Sequence, residues 1–159
     1  MLSLIVRRVV QNGYAKQNRG DFEALSRMFS EDAVFEFQGD TPFGGERRGR
    51  HAVRAWFEEV GRDFGRLSLT ADDVAASGPP WNMRVIIRFS DSYELISGDG
   101  LTNHGFQFLR IAWGKVKEDR ILVDLRVVAK ALELIESWKA ERPSRDAQDP
   151  REVAPDADA

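Results

Sequence analysis

Residues 82–95 alternate between two kinds of side chain, and this pattern constrains the fold more than any other stretch. One set of alternate positions is apolar except for a single carboxylate, and it comprises Val85, Ile87, Phe89, Asp91, Tyr93 and Leu95. A period of two residues is typical of a β-strand that buries one face, so this set is expected to face the interior of a sheet. A carboxyl group on that face is withdrawn from water, which raises its pKa and suits Asp91 to proton transfer.

The remaining patterns divide the chain into helices and strands. Helices are predicted over 4–18, from Asp21 to Phe29, over 50–64, and from Asp124 to about Ala140. Strands are predicted over 33–38, 66–76, 81–95, 101–113 and 116–123, and 39–49 is predicted to be a glycine-rich loop. Three helices, a β-meander and a closing helix indicate an α+β fold, in which a bent antiparallel sheet packs against helices.

Charge and composition separate a predicted domain, residues 1–140, from a tail, residues 141–159. The tail carries six acidic side chains, three arginines and three prolines, and is predicted to be disordered. The rest of the chain carries equal numbers of acidic and basic side chains, which argues against nucleic acid or an anionic membrane as a partner. The chain has no cysteine, which excludes disulfides and favours a cytoplasmic location.

Two amides share the predicted interior register of the strand over 101–113. Asn103 and Gln107 alternate in step with Leu109, so they are expected to face the same cavity and to donate hydrogen bonds to a developing oxyanion. The alternative is that both amides bond to backbone or water near a strand end. Asp91 has an alternative as well, since a bulge would let it face solvent or pair with an arginine.

Aromatic side chains are numerous enough to line a hydrophobic pocket, although core packing would also explain them. The candidates are Phe37, Trp56, Phe57, Trp81, Phe89, Tyr93 and Trp113. Tyr14 is expected either to place its hydroxyl in the cavity or to bond a backbone carbonyl. The two histidines, His51 and His104, lie far apart with no acid at a ligand spacing, so neither a metal site nor a cofactor is expected.

Several segments, taken in order, resemble the SnoaL-like branch of the nuclear-transport-factor-2-like superfamily, which includes polyketide cyclases and ketosteroid-isomerase-related proteins. The segments are 14–21, Gly45, Gly49, 53–57, 78–82, 103–105, 110–116 and 119–124. The resemblance implies a cone-shaped curved sheet whose mouth is closed by helices. It also implies a small-molecule ligand and a family with varied reactions, including isomerisation, cyclisation and epoxide hydrolysis.

The resemblance also says which positions carry catalytic groups in relatives. The isomerase general base corresponds to Phe37 and the cyclase aspartate to Ile121, whereas an epoxide hydrolase aspartate corresponds to Asp91. We therefore expect a small apolar ligand, with Asp91 as acid or base and Gln107 as a polarising donor if the protein is an enzyme. The rival expectation is a binding protein without turnover. A third is an interaction module, because the outward register of His104, Phe106, Phe108 and Arg110 predicts a homodimer across the sheet.

Overall fold

The structure is a computed structural model that describes residues 2–142. Its elements follow the predicted order of helices, a β-meander and a closing helix. They are α1 (Leu2–Asn18), α2 (Phe22–Ser26), β1 (Phe29–Phe37), β2 (Gly45–Arg48), α3 (Arg50–Phe64), β3 (Arg66–Ser77), β4 (Met83–Glu94), β5 (Gly100–Ala112), β6 (Lys115–Val123) and α4 (Leu125–Glu141). The α+β class predicted from the sequence is confirmed.

The six strands form one curved, open sheet in the order β2-β1-β6-β5-β4-β3. Strand β1 runs parallel to β6, and every other neighbouring pair is antiparallel. The long meander β3–β6 therefore carries most of the sheet, and the first hairpin adds to it at the β6 edge. This arrangement places β1, from the first part of the chain, directly beside β6, the last strand of the sheet.

The concave side of the sheet holds the core. The alternation in β4 is confirmed, because Val85 and Ile87 are fully buried while Ile86 between them is half exposed. Helix α3 packs its own apolar face on this side through Val53 and Trp56. Burying apolar area in this way is the main source of stability for a domain of this size.

The structure differs from the sequence prediction at the junction of α2 and β1, within the predicted loop and at the last hairpin turn. Helix α2 ends at Ser26, and Phe29 already belongs to β1, so the predicted extension of the helix to Phe29 is wrong. The predicted loop contains the edge strand β2, which pairs with β1. Its residues are polar and mostly exposed, so it has no apolar alternation by which the sequence could reveal it. The last hairpin turns at Trp113 and Gly114, which both have positive φ, as a two-residue turn requires.

Helix α4 begins where the sequence predicts. The side chain of Asp124 accepts a hydrogen bond from the backbone N–H of Arg126, which satisfies one of the free donors at the helix start. The helix ends at Glu141, one residue beyond the predicted domain boundary. Residues 143–159 of the predicted tail lie outside the described residues. No helix within residues 2–142 is long and apolar enough to cross a membrane.

Candidate functional site

A cavity lies between the concave face of the sheet and helices α1, α3 and α4. Its volume is about 50 Å³. Of the side chains that the sequence proposed for the site, seven line it: Tyr14, Phe37, Trp56, Phe89, Asp91, Tyr93 and Gln107. The structure therefore brings together, in one hollow, residues from α1, β1, α3, β4 and β5.

Asp91 lies on this cavity wall as an acid that is 6% exposed. Its Oδ2 accepts a hydrogen bond of 2.5 Å from the hydroxyl of Tyr93, two residues along β4. Its Oδ1 is buried and has no hydrogen-bond partner among the described residues. Burial raises the pKa of Asp91, while the Tyr93 bond opposes that rise by favouring the ionised form. One carboxyl oxygen is thus held in place, and the other is without a protein donor.

Tyr93 keeps its proton under all ordinary conditions. Burial is the largest cause of its raised pKa, and the negative charge of Asp91 raises the pKa further. Its ring also contacts Phe64, with the ring centroids 5.5 Å apart, so its orientation is restrained by packing. Tyr93 therefore serves as a fixed hydrogen-bond donor to Asp91.

A second polar group in the cavity wall joins α1 to β5. The hydroxyl of Tyr14 donates a hydrogen bond of 2.9 Å to Oε1 of Gln107. The Nε2 of Gln107 in turn donates to both carboxyl oxygens of Asp119, at 2.9 Å each. The amide predicted to polarise a ligand is therefore already bonded on both sides, to Tyr14 and to Asp119.

Asp119 is a functional candidate that the sequence analysis did not single out. It is 1% exposed and lies on β6, two residues before Ile121. Burial raises its pKa to about 7, and the hydrogen bond from Gln107 opposes that rise. The signal that would have found it is the one that identified Asp91, because Asp119 alternates in step with Ile121 and Val123 on the inward face.

Asp119 borders a second cavity of about 50 Å³ beneath α1. Tyr14, Gln17 and Gln107 line both cavities. The hydrogen-bonded pair of Tyr14 and Gln107 thus lies between the hollow that holds Asp91 and the hollow that holds Asp119.

Asn103 does not line the Asp91 cavity, although it pairs with Asp91 across β4 and β5. It is buried, and its side-chain nitrogen donates to the backbone oxygen of Asp124 at 3.2 Å. Its side-chain oxygen accepts from the backbone N–H of His104 at 2.8 Å and from that of Asp124 at 3.3 Å. These bonds connect β5 to the start of α4.

Aromatic and aliphatic side chains form most of the rest of the cavity wall. The indole N–H of Trp56 donates to the backbone oxygen of Phe43 at 2.8 Å, so the ring presents carbon atoms to the cavity. The ring of Phe89 lies edge-on to Tyr14, with centroids 6.3 Å apart. It has room because Gly105, opposite it on β5, has no side chain, and a Cβ there would lie 2.9 Å from the Phe89 ring.

Two aromatic residues proposed for the pocket lie elsewhere. Trp81 is 58% exposed and Trp113 is 76% exposed, and their ring centroids are 6.0 Å apart on the surface. Both occupy connections between strands, where alternation no longer decides which side a residue faces. Their assignment to the pocket is wrong, whereas Phe57 is buried within the core.

The described part of the chain contains no group of three His, Cys, Asp or Glu side chains arranged to hold a metal ion. His51 and His104 are both exposed. The polar groups around the two cavities are two buried acids, two tyrosine hydroxyls and the amides of Gln17 and Gln107. Together they form a hollow, mostly apolar site with a few oriented hydrogen-bonding groups, which is the usual character of a small-molecule site.

Comparison with known proteins agrees with this class of fold. The sequence model of the SnoaL-like domain matches residues 10–119, and the chain therefore belongs to the SnoaL-like domain family. No curated protein sequence matches the chain.

Solved structures share the fold at low sequence identity. Bal32a, from a soil-derived mobile gene cassette, is 25% identical over 78% of this chain and 93% of its own, with a TM-score of 0.65. PrhC from Penicillium brasilianum is 15% identical over 84% of this chain and 89% of its own, with a TM-score of 0.70. A protein with a ketosteroid isomerase-like fold from Catenulispora acidiphila was solved in complex with trimethylamine. It is 15% identical over 77% of this chain and 90% of its own, with a TM-score of 0.68.

Proposed function

We propose that the chain binds a small, largely apolar molecule in the Asp91 cavity and acts on it by acid–base chemistry without a cofactor. The reaction class is proton transfer at carbon or oxygen, as in isomerisation, cyclisation or hydration. The observation that carries this proposal is the state of Asp91, a buried acid on the cavity wall with one carboxyl oxygen that lacks a protein partner.

A buried carboxylate of this kind is a stronger base than one in water, because desolvation disfavours its charge. Tyr93 supports the same role, since its hydrogen bond fixes the carboxyl group while leaving Oδ1 for the ligand. The proposed step is the removal or delivery of a proton at Oδ1 of Asp91.

We propose Tyr14 and Gln107 as the second polar contact of the site. The Tyr14 hydroxyl lies on a mostly apolar part of the cavity wall, so it is the group proposed to meet a polar atom of the ligand there. Gln107 is proposed to orient the Tyr14 hydroxyl and not to contact the ligand itself, because its amide group is already bonded to Tyr14 and Asp119. Phe37, Trp56 and Phe89 supply the apolar contact, whereas Asn103 supports the site by joining β5 to α4.

The proposal is tested with 2-tetralone, a two-ring ketone whose protons beside the carbonyl exchange with solvent. A base in the cavity removes such a proton to give the enolate, and a deuteron from D₂O then returns to the same carbon. We expect the wild-type protein to accelerate this exchange, as followed by ¹H NMR, and Asp91→Asn to abolish the acceleration. Asp72→Asn is the matched control, since Asp72 is an exposed acid on the neighbouring strand β3.

The second candidate function is ligand binding without turnover. The apolar residues at two family catalytic positions favour it, because Phe37 and Ile121 line the cavity where relatives carry acids. Under this alternative 2-tetralone shifts resonances of cavity residues, but its exchange with D₂O is not accelerated. If the ketone neither binds nor exchanges faster, both candidate functions are rejected for this class of ligand.

We also propose that the chain forms a homodimer through the convex face of the sheet. Large apolar side chains lie exposed on adjacent strands there, with Ile86 52%, Phe106 53% and Leu122 42% exposed, and Phe106 pairs directly with Leu122. Charged side chains of both signs border them, including the pair of Arg110 and Glu118. Apolar area of this kind in the middle of a charged face fits a second copy of the same surface.

Sedimentation of the intact protein tests the dimer. We expect wild type to sediment as a dimer and Phe106→Asp to sediment as a monomer. Leu4→Asp is the control, because Leu4 is equally apolar and 67% exposed but lies on α1. A wild-type monomer at micromolar concentration rejects the proposal.

The location of the protein is proposed to be cytoplasmic, which the absence of cysteine supports. The balanced charge of residues 1–140 supports a small molecule over nucleic acid as its partner.

A further inference from the structure

Asp119 is the most deeply buried acid of the described chain, and its surroundings leave it few partners. It makes no ion pair among the described residues, and its hydrogen bonds there come from the Gln107 amide alone. Side chains around its cavity come from α1, α2, α3, β1, β4, β5 and β6, and Tyr14 is the one other titratable group among them. Tyr14 itself stays neutral, because burial first and the charge of Asp119 second raise its pKa.

The observed bonds are those of an ionised Asp119. A carboxylate accepts hydrogen bonds and donates none, so it requires the NH₂ side of the Gln107 amide. That orientation turns Oε1 toward Tyr14, whose hydroxyl hydrogen must then point at Gln107. The Tyr14 oxygen is left with lone pairs and no hydrogen for any other contact.

A protonated Asp119 would reverse this chain of bonds. Its new O–H needs an acceptor, and the amide oxygen of Gln107 is the acceptor within reach. The amide must therefore turn over and present Nε2 to Tyr14. The Tyr14 oxygen then accepts, and its hydrogen is released toward the Asp91 cavity.

We propose that Asp119 is a positioning residue that decides, through Gln107, whether Tyr14 offers a hydrogen or a lone pair to the ligand. This inference rests on the proposed function of the Asp91 cavity, and it specifies which kind of ligand group the cavity binds beside Tyr14. With Asp119 protonated, Tyr14 donates, and the site takes a carbonyl or developing enolate oxygen beside it. With Asp119 ionised, Tyr14 accepts, and the site takes a hydroxyl or amine hydrogen.

The switch point lies in the physiological range. Burial raises the pKa of Asp119 to about 7, so both states are populated near neutral pH. Each protonation changes one hydrogen bond at Asp119 and, with it, one at Tyr14. The two buried acids therefore have different roles. Asp91 meets the ligand directly, whereas Asp119 affects the ligand only through its hydrogen bonds to Gln107 and from there to Tyr14.

NMR of the free wild-type protein tests the relay without any ligand. The three signals to follow are the carboxyl carbon of Asp119, the side-chain NH₂ of Gln107 and the ring Cζ of Tyr14. We expect all three to titrate with one midpoint near pH 7. We also expect the nuclear Overhauser contacts of the Gln107 NH₂ group to move onto the Tyr14 ring in the acidic state. Signals of Gln107 and Tyr14 that stay constant while Asp119 titrates would overturn the proposal.

Three variants separate the relay from other causes. Asp119→Asn should remove the pH dependence of Gln107 and Tyr14 near neutral pH, whereas Asp91→Asn should leave their midpoint in place. Gln107→Leu keeps the charge of Asp119 but removes the amide, so the Tyr14 signal should follow Asp119 with a much smaller change in chemical shift, due to the direct effect of that charge. An undiminished change at Tyr14 in Gln107→Leu would reject the relay. These outcomes are independent of 2-tetralone exchange, which tests the function of the cavity by itself.

Discussion

Tyr14 and Gln107, which lie 93 residues apart in the sequence, meet through a 2.9 Å hydrogen bond between the tyrosine hydroxyl and the amide oxygen. This bond lies between two buried acids, with Asp91 in the cavity on one side and Asp119 in the cavity on the other. Both acids are kept from water by the same core, and both have raised pKa values for that reason. The site therefore contains two aspartates with raised pKa values, separated by the uncharged hydrogen-bonded pair of Tyr14 and Gln107.

The ionisation of Asp119 should make the stability of the fold depend on pH. The folded state holds this proton up to a pKa of about 7, whereas an unfolded aspartate releases it near a pKa of about 3.9. The contribution of Asp119 to the free energy of unfolding should therefore be largest below about pH 4 and fall, by up to about 4 kcal/mol, as the pH rises from there through 7. Asp119→Asn lacks this loss and should be more stable than wild type above neutral pH.

Urea denaturation of both proteins across this pH range measures the effect. The difference between Asp119→Asn and wild type should shrink steadily as the solution is made acidic. Asp72→Asn, at an exposed acid, should show no comparable trend. An Asp119→Asn variant that is equally destabilised at every pH would contradict the prediction, because it would make the residue purely structural.

The Tyr93 bond should control how readily Asp91 ionises. The hydroxyl stabilises the carboxylate, so its removal in Tyr93→Phe should raise the pKa of Asp91 beyond its already raised value. The carboxyl carbon of Asp91, followed by NMR through a pH titration, measures the change. Tyr14→Phe is the matched control, because the Tyr14 hydroxyl bonds to Gln107 and not to Asp91. A lower pKa in Tyr93→Phe would show that the hydroxyl does not donate to this carboxylate.

The close packing at Gly105 should make that position intolerant of a side chain. A Cβ at Gly105 would lie 2.1 Å from the backbone oxygen of Leu122 and 2.9 Å from the Phe89 ring, so β5 and β6 would have to separate. We expect Gly105→Ala to lower the free energy of unfolding by about 1–3 kcal/mol. Gly100→Ala on the same strand is the control, since nothing lies within 4 Å of the Cβ it would add. Similar urea midpoints for the two variants would refute this account.

The aromatic cluster under α3 should dominate the stability of the domain. Phe35 is fully buried, with its ring centroid 4.5 Å from that of Trp56 and 5.6 Å from that of Phe57. Phe35→Ala should therefore cost about 3–5 kcal/mol, because it removes buried apolar area and leaves a void. Leu4→Ala, at an exposed apolar position, should change the same quantity by no more than about 0.5 kcal/mol. Thermal or urea unfolding followed by circular dichroism distinguishes the two.

Local patterns predicted most of the fold because they follow from the geometry of single elements. The alternation around Asp91 placed that residue on the buried face of β4, and the apolar spacing of 50–64 located α3 to the residue. The short strand β2 was not predictable in this way. It lacks an apolar face and exists because β1 offers free backbone groups at the right distance.

The sequence by itself determined the class of fold, the inward register of Asp91 and seven of the sixteen residues that line the cavity. Periodicity suffices for these, since it states which face of an element is withdrawn from water. Tertiary structure alone decided that Gln107 lies between Tyr14 and Asp119, and that Asn103 joins β5 to α4. Those contacts join positions distant in sequence, and no local pattern specifies which buried polar groups will satisfy one another when the sheet curves around its helices.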